Sequence, residues 1–148
     1  MQIFIAADHN GFEFKKQVTD FLIRSGHEVV DKGGDTLDPL DDFPQFAGRA
    51  MNALLASGQH DARAVLICGS GQGMCIAANR FKGIRACLCT DPQEARTARN
   101  DDDCNVLCLP ARLLTAVEAE PIISAWLHTP FAGAERFKRR IKELDQLN

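Results

Sequence analysis

Apolar runs of strand length alternate with stretches of helical period along the whole chain. Gln2–Ala7 (QIFIAA) has the length and continuity of a buried strand. After it, Phe14, Val18, Phe21 and Leu22 recur at three- and four-residue spacing, which predicts a helix over Phe12–Ser25 stopped by Gly26. Glu28–Asp31 predicts a short second strand, Lys32–Pro44 (KGGDTLDPLDDFP) a turn-rich acidic loop, and Phe43–Ser57 a second helix. Ala64–Cys68 (AVLIC) predicts the third strand, with a glycine-rich turn and a helix after it. Ile84–Cys89 and Asn105–Leu109 predict the fourth and fifth strands, separated by a helix over Pro92–Asn100. Two further helices are expected, over Leu114–Leu127 and, strongly charged, over Ala132–Leu147.

Continuous apolar strands joined by helical crossovers imply a parallel sheet covered on both faces. The expectation is therefore an α/β fold, a Rossmann-like three-layer α/β/α sandwich of about five parallel strands. One domain spans residues 1–148, with no internal repeat, linker or low-complexity segment. In such sheets ligands bind beyond the carboxyl ends of the strands, near the switch point of strand order. That rule draws attention to Asp8–Gly11, Cys68–Gly73, Asp91, the loop Asn100–Cys104 and Arg112.

Composition narrows the classes without selecting one. A hydrophobic share of 45%, a charged share of 25% and a formal net charge of −3 exclude a disordered chain and a general nucleic-acid binder. No apolar run approaches the roughly 18–20 residues of a membrane span, so no membrane partner is expected. The start, MQIFIAADHNG, lacks the basic and apolar regions of a signal peptide, and a cytoplasmic location is expected. The six cysteines, Cys68, Cys75, Cys87, Cys89, Cys104 and Cys108, include no C-x-x-C pair, and His9, His27, His60 and His128 are scattered. Neither a disulfide framework nor a metal site is expected, and most of the cysteines read as small buried apolar side chains.

The chemistry concentrates in a few places, each with a plainer alternative. Cys68-Gly69-Ser70-Gly71-Gln72-Gly73 follows a strand and opens a helix, so backbone N–H groups can converge on an anion. It lacks the Gly-Lys-Ser/Thr of a P-loop and departs from G-x-G-x-x-G; the alternative is a structural tight turn. Thiols at the positive end of a helix ionise readily, which makes Cys68 a candidate reactive group rather than one more core cysteine. Asp8 and Asn10 could cap the next helix, but a cap does not require His9. Arg136 and Arg140 share a helix face and suit a phosphate monoester; a solvated basic face is the alternative, with Lys138, Arg139 and Lys142 nearby. Asp101-Asp102-Asp103 places three carboxylates in one turn, which calls for solvent, a metal or nearby arginine.

Together these stretches resemble the ribose-5-phosphate isomerase B family, which includes the LacA/LacB subunits of galactose-6-phosphate isomerase. The resemblance runs from end to end through AADHNGFEFK, VVDKG, DFPQFA, LICGSGQG, IAANRFKGIRA, NVLCLPAR and FAGAERFKRRI. It implies a metal-free, cofactor-free aldose–ketose isomerase acting on a sugar phosphate through a cis-enediolate. By the same resemblance Cys68 is the base at C1 and C2, and Ser70 relays a proton between the two oxygens. Met74 stands where another branch of the family has a glutamate base. The N–H groups of Gly69, Gly71, Gly73 and their neighbours hold the enediolate. Asp8 and His9 bind hydroxyls and phosphate, and Arg112, Arg136 and Arg140 bind phosphate. The terminal-helix pair acts in a neighbouring subunit, so the resemblance implies a homodimer or a dimer of dimers.

The chain departs from the family pattern at one point. The family loop H-N-D-[TAS]-N-V opens the furanose ring with its histidine, and here it reads Asp101-Asp102-Asp103-Cys104-Asn105-Val106. Asp101 takes the catalytic place and Asp102 that of a substrate-binding asparagine. A smaller change puts Phe137 where the family commonly has histidine. The leading expectation is isomerisation of ribose 5-phosphate, with Asp101 replacing the histidine. The alternatives are a hexose 6-phosphate such as allose or galactose, a tetrose 4-phosphate that cannot close a furanose ring, or a non-catalytic phosphosugar-binding subunit.

Overall fold

The computed structural model describes residues 1–147. Five strands, β1 (Gln2–Ala7), β2 (Glu28–Asp31), β3 (Arg63–Cys68), β4 (Ala86–Leu88) and β5 (Val106–Pro110), form one sheet in the order β2-β1-β3-β5-β4. Every neighbouring pair is parallel. Helices α1 (Phe12–Arg24), α2 (Phe43–Ala56), α3 (Gln72–Ala78) and α4 (Pro92–Asp102) make the crossovers, and α5 (Ala116–His128) and α6 (Glu135–Leu144) follow the last strand. The expected Rossmann-like sandwich is the observed one.

The alternation of side chains along each strand builds the two halves of the core. Ile3, Ile5, Val65, Ile67, Leu107 and Leu109 face α1, α4 and α5, where Trp126 is fully buried. Phe4, Ala6, Ala64, Leu66, Cys68, Val106 and Cys108 face α2 and α3. Trp126 is the largest of the fully buried side chains, so deleting its ring would leave a large void between α5 and the sheet. Among the described residues no helix is long and apolar enough to cross a membrane.

Several boundaries differ from those the periodicity predicts. β4 keeps only Ala86–Leu88, because the Arg85 N–H is taken by the Asn105 side chain at 2.9 Å instead of by a strand neighbour. α4 runs two residues past Asn100 and ends where Asp103 adopts the left-handed conformation (φ 49°). α6 starts at Glu135 rather than Ala132, after Gly133 at φ 65°. Of the predicted terminal helix, only Phe137 is buried.

The strand order places the switch point between β1 and β3, since the chain builds outward to β2 on one side and to β5 and β4 on the other. The carboxyl ends of β1 and β3 are therefore neighbours, with Ala7 paired to Ile67 and the Asp8 N–H donating to the Ile67 carbonyl at 3.3 Å. In sheets of this kind the ends of these two central strands border the ligand crevice.

Candidate active site

Two segments from β1 and β3 meet in that crevice. After β1, Asp8 turns the chain: its Oδ1 accepts the N–H groups of Asn10 (3.0 Å) and Gly11 (3.3 Å). This cap seats the short helical turn His9–Gly11 and leaves the His9 ring, 31% exposed, facing outward. The capping alternative for Asp8 is thus realised, and the same turn sets His9 at the carboxyl end of β1.

After β3, Cys68 is buried at the strand end, while Ser70 is exposed and its Oγ accepts the Gln72 N–H at 3.3 Å. Gly71 sits at φ 73° and caps α3. A Cβ added there would lie 2.4 Å from Leu88 Cδ1 and 3.2 Å from the Leu109 backbone. Gly69 gives way to Arg112, whose Nε would be 2.9 Å from a Cβ at that position, and Gly73 to the Phe43 ring. These glycines are therefore a packing requirement as much as a conformational one. Gly71→Ala should lose about 2–4 kcal/mol of stability, combining left-handed backbone strain with overpacking. Urea unfolding of the variant measures this, and a loss below about 0.5 kcal/mol would mean that the turn relaxes freely.

Arg112 completes the near wall. The N–H groups of Ala111 and Arg112 donate to the Cys68 and Gly69 carbonyls, both at 2.9 Å, so the exit of β5 is stitched to the exit of β3. The Arg112 guanidinium then reaches back across Gly69 and donates from Nη2 to Asn10 Oδ1 at 3.1 Å. Asp8, His9, Cys68, Gly69, Ser70, Gly71, Gly73 and Arg112 are in this way brought together at one end of the sheet. Asp91 caps α4 through bonds to the Gln93 and Glu94 N–H groups, a structural use of that residue.

The loop Asn100–Cys104 does not belong to that end. It precedes β5, and in a parallel sheet the residues before a strand lie at its amino end. The Asn105 carbonyl accepts from Ala64 N–H, at the start of β3. Ala64 and Cys68 are four residue steps apart, about 13 Å along the strand, and the loop lies beyond Ala64. Asp101 and Asp102 close α4 there. Asp103 turns inward, its two oxygens 2.7 Å from Arg99 Nη1 and 3.0 Å from Arg85 Nη2, so arginine is what relieves the acidic turn. Among the described residues, no group of His, Cys, Asp and Glu is arranged to hold a metal ion.

Arg136 and Arg140 keep company with Asp101 rather than with Cys68. The Ala132 N–H donates to the Asn100 carbonyl at 3.0 Å, which ties the approach to α6 to the end of α4. On α6 Lys138 pairs with Glu135 and Arg139 with Glu143, whereas Arg136 and Arg140 are exposed and make no ion pair among the described residues. The predicted site residues thus fall into two groups at opposite ends of the sheet.

Two features had no counterpart in the sequence reading. Asp41, from the acidic loop, bonds His9 Nδ1 at 2.7 Å and holds that imidazole above its usual range. Cys75 is half-buried, and hydrogen bonds from Cys108 and Asn79 bring its thiol down to about 7. Cys89, Cys104 and Cys108 are buried as expected, while Cys87, like Cys75, is only partly so.

The family model of the ribose/galactose isomerases matches residues 3–144. A ribose-5-phosphate isomerase B from Escherichia coli K12 is 36% identical over 143 residues, covering 97% of this chain and 93% of the relative. A crystal structure of a ribose 5-phosphate isomerase from Thermotoga maritima is 41% identical and superposes with a TM-score of 0.92, over 99% of this chain and 98% of that one. The isomerase B of Mycoplasma genitalium, solved with bound ribulose-5-phosphate, is 38% identical with a TM-score of 0.91, over 98% of this chain and 94% of that one.

Proposed function

The chain belongs to the ribose/galactose isomerase family, and from that premise we propose that it interconverts D-ribose 5-phosphate and D-ribulose 5-phosphate through a cis-enediolate. The observation that carries the reading is Cys68, a thiol held at the switch-point end of β3 directly before the Gly69–Gly73 turn. In this scheme the Cys68 thiolate takes the proton from C2 of the open-chain aldose and returns it to C1. The Ser70 hydroxyl, exposed at the same turn, passes a proton between O1 and O2. N–H groups of the Gly69–Gly73 turn face the charge that develops on the oxygens, a donor arrangement that favours the enediolate over the aldose. Protein groups alone move the protons, so the scheme needs no metal or cofactor.

One chain does not supply the whole site. Asp101, Asp102, Arg136 and Arg140 lie at the far end of the sheet, so they reach a substrate only in a second copy. Exposed apolar side chains near the crevice, Leu40 beside Asp41 and Leu113 beside Arg112, support covering by such a copy. The active form in this reading is a cytoplasmic homodimer or dimer of dimers, with Asp8, His9 and Arg112 from one chain and Arg136 and Arg140 from the next around the phosphate.

A coupled isomerase assay across pentose, hexose and tetrose phosphates tests the reading, which fails if ribose 5-phosphate is not turned over. Asp101 favours one second reading, a tetrose 4-phosphate, because that substrate has no furanose ring to open. If Asp101 opens the ring, Asp101→Asn should slow single-turnover conversion of cyclic ribose 5-phosphate by roughly a hundredfold while sparing open-chain ribulose 5-phosphate. Asp101→His should be tolerated, since imidazole titrates near neutrality. A wild type that prefers the tetrose phosphate, with both variants within a few-fold of it, would establish the second reading instead.

A further inference from the structure

The acidic loop between β2 and α2 reads as plain turn sequence, yet one of its carboxylates is drawn into the crevice. Asp41 Oδ1 lies 2.7 Å from His9 Nδ1 and also accepts the His9 backbone N–H at 3.0 Å. One oxygen therefore fixes both the ring and the turn that carries it. The side chain of Asp41 is only 12% exposed. The loop that delivers it is anchored at its root. Lys15 is buried with its Nζ 2.6 Å from Asp31 and donates to the Gly34 carbonyl at 3.1 Å, and the Lys32 N–H donates to Ile5 at 2.7 Å.

The other ring nitrogen faces Asn10. Arg112 donates to Asn10 Oδ1, which turns the amide so that its Nδ2 lies 2.9 Å from His9 Nε2. A donor opposite Nε2 requires that nitrogen to accept, so in the free protein the ring proton is on Nδ1 and is donated to Asp41. The chain of contacts Asp41–His9–Asn10–Arg112 leaves a neutral amide standing between two groups that can both be cationic. An oxyanion is an acceptor where Asn10 Nδ2 is a donor. When it displaces the amide, Nε2 has to carry a proton, and the carboxylate on the opposite nitrogen stabilises the imidazolium that results.

We propose that Asp41 is the positioning residue that makes His9 a cationic hydrogen-bond donor to the phosphate of the substrate. This rests on the sugar-phosphate reading above and adds to it a residue and a proton: anion binding takes up one proton at His9 when the pH is above neutral. The charged groups facing His9 are Asp41 from the loop, Asp8 from the end of β1 and Arg112 from beyond β5. The Asp41 bond, with smaller help from Asp8, raises the affinity of the ring for its proton, and Arg112 opposes. Lacking Asp41, the ring would be neutral over the range where the phosphate is a dianion, and the crevice would keep only its arginines.

The test compares wild type, Asp41→Asn and Asp41→Glu as full chains, with inorganic phosphate as the probe. Calorimetric titration at about pH 8 should show phosphate affinity roughly tenfold weaker in Asp41→Asn, with the gap narrowing near pH 6, where solvent protonates His9 in both proteins. The His9 ring resonance, assigned with His9→Gln, should titrate at lower pH in Asp41→Asn and move back toward wild type in Asp41→Glu. KM for ribose 5-phosphate should rise in parallel, with kcat changing less. An unmoved His9 midpoint, or an affinity loss equal at both pH values, overturns the proposal. Wild-type protein that binds phosphate with this pH pattern but leaves ribose 5-phosphate unconverted would overturn the substrate reading and not the role of Asp41.

Discussion

Cys68→Ala protein is expected to bind sugar phosphate and to turn over almost none of it. The thiolate acts on a C–H bond, so its contribution is made in the transition state and little of it in the ground state. Loss of a positioned general base costs roughly 10²–10⁴ in rate, and here the same group both removes and returns the proton, which places the expectation at the upper end. KM should stay within a few-fold. Solvent deuterium should enter the exchanging carbon with wild type and not with the variant. Cys68 is packed among Phe4, Ala6, Met74 and other side chains on the α2–α3 side of the sheet, and the change to alanine removes only a sulfur, so the fold should persist. Substitution is also the right instrument, because thiol alkylation would not single out Cys68. Cys75, half-buried and with its thiol brought down to about 7, would compete for the reagent. A variant with wild-type kcat would remove Cys68 from the reaction and leave the Gly69–Gly73 turn as an anion site alone.

What the sequence reveals of this site follows the range of the forces involved. The turn after β3 is legible because its causes are local: a strand, three glycines and a helix start within six residues, and each glycine is explained by a neighbour that closes on it. The cap made by Asp8 is legible for the same reason. Asp41 was hidden because its partner lies 32 positions away and because the loop offers several equivalent acids, Asp35, Asp38, Asp41 and Asp42. Nothing in composition or periodicity selects one of them. The misplacement of Asn100–Cys104 has a different origin. The strand that follows it forms as expected, but in a parallel sheet a residue just before a strand and one just after it stand at opposite ends. The distinction between Asp101 and Arg112 is thus a matter of chain direction: Arg112 stands with Cys68, and Asp101 stands at the opposite end of the sheet. The shortened β4 is also a tertiary effect, since the Asn105 side chain substitutes for a strand partner that periodicity would assign.

Equal mixing of Cys68→Ala and Arg136→Ala proteins, after subunit exchange, should return about a quarter of wild-type activity from two nearly inactive parents. The arithmetic comes from symmetry. Random pairing makes half of the dimers mixed, and each mixed dimer has one crevice that draws its thiol and its arginine from chains intact in those parts, while the other crevice has lost both. The structural ground is the separation of the two groups: Cys68 ends β3, whereas Arg136 and Arg140 stand on α6, tied to the amino-end loop through Ala132 and Asn100. Alone, Arg136→Ala or Arg140→Ala should chiefly raise KM, by roughly tenfold to a hundredfold, because an arginine–phosphate contact is nearly the same in ground and transition states. The assay is therefore run below the KM of the Arg136→Ala parent, where that parent contributes little. Were the arginines to serve the crevice of their own chain, every crevice in a mixed dimer would lack either thiol or arginine and nothing would be regained. Exchange proven by native mass spectrometry with no recovery of rate would assign α6 to its own chain, and the exposed Arg136 and Arg140 would then be no more than a solvated basic face.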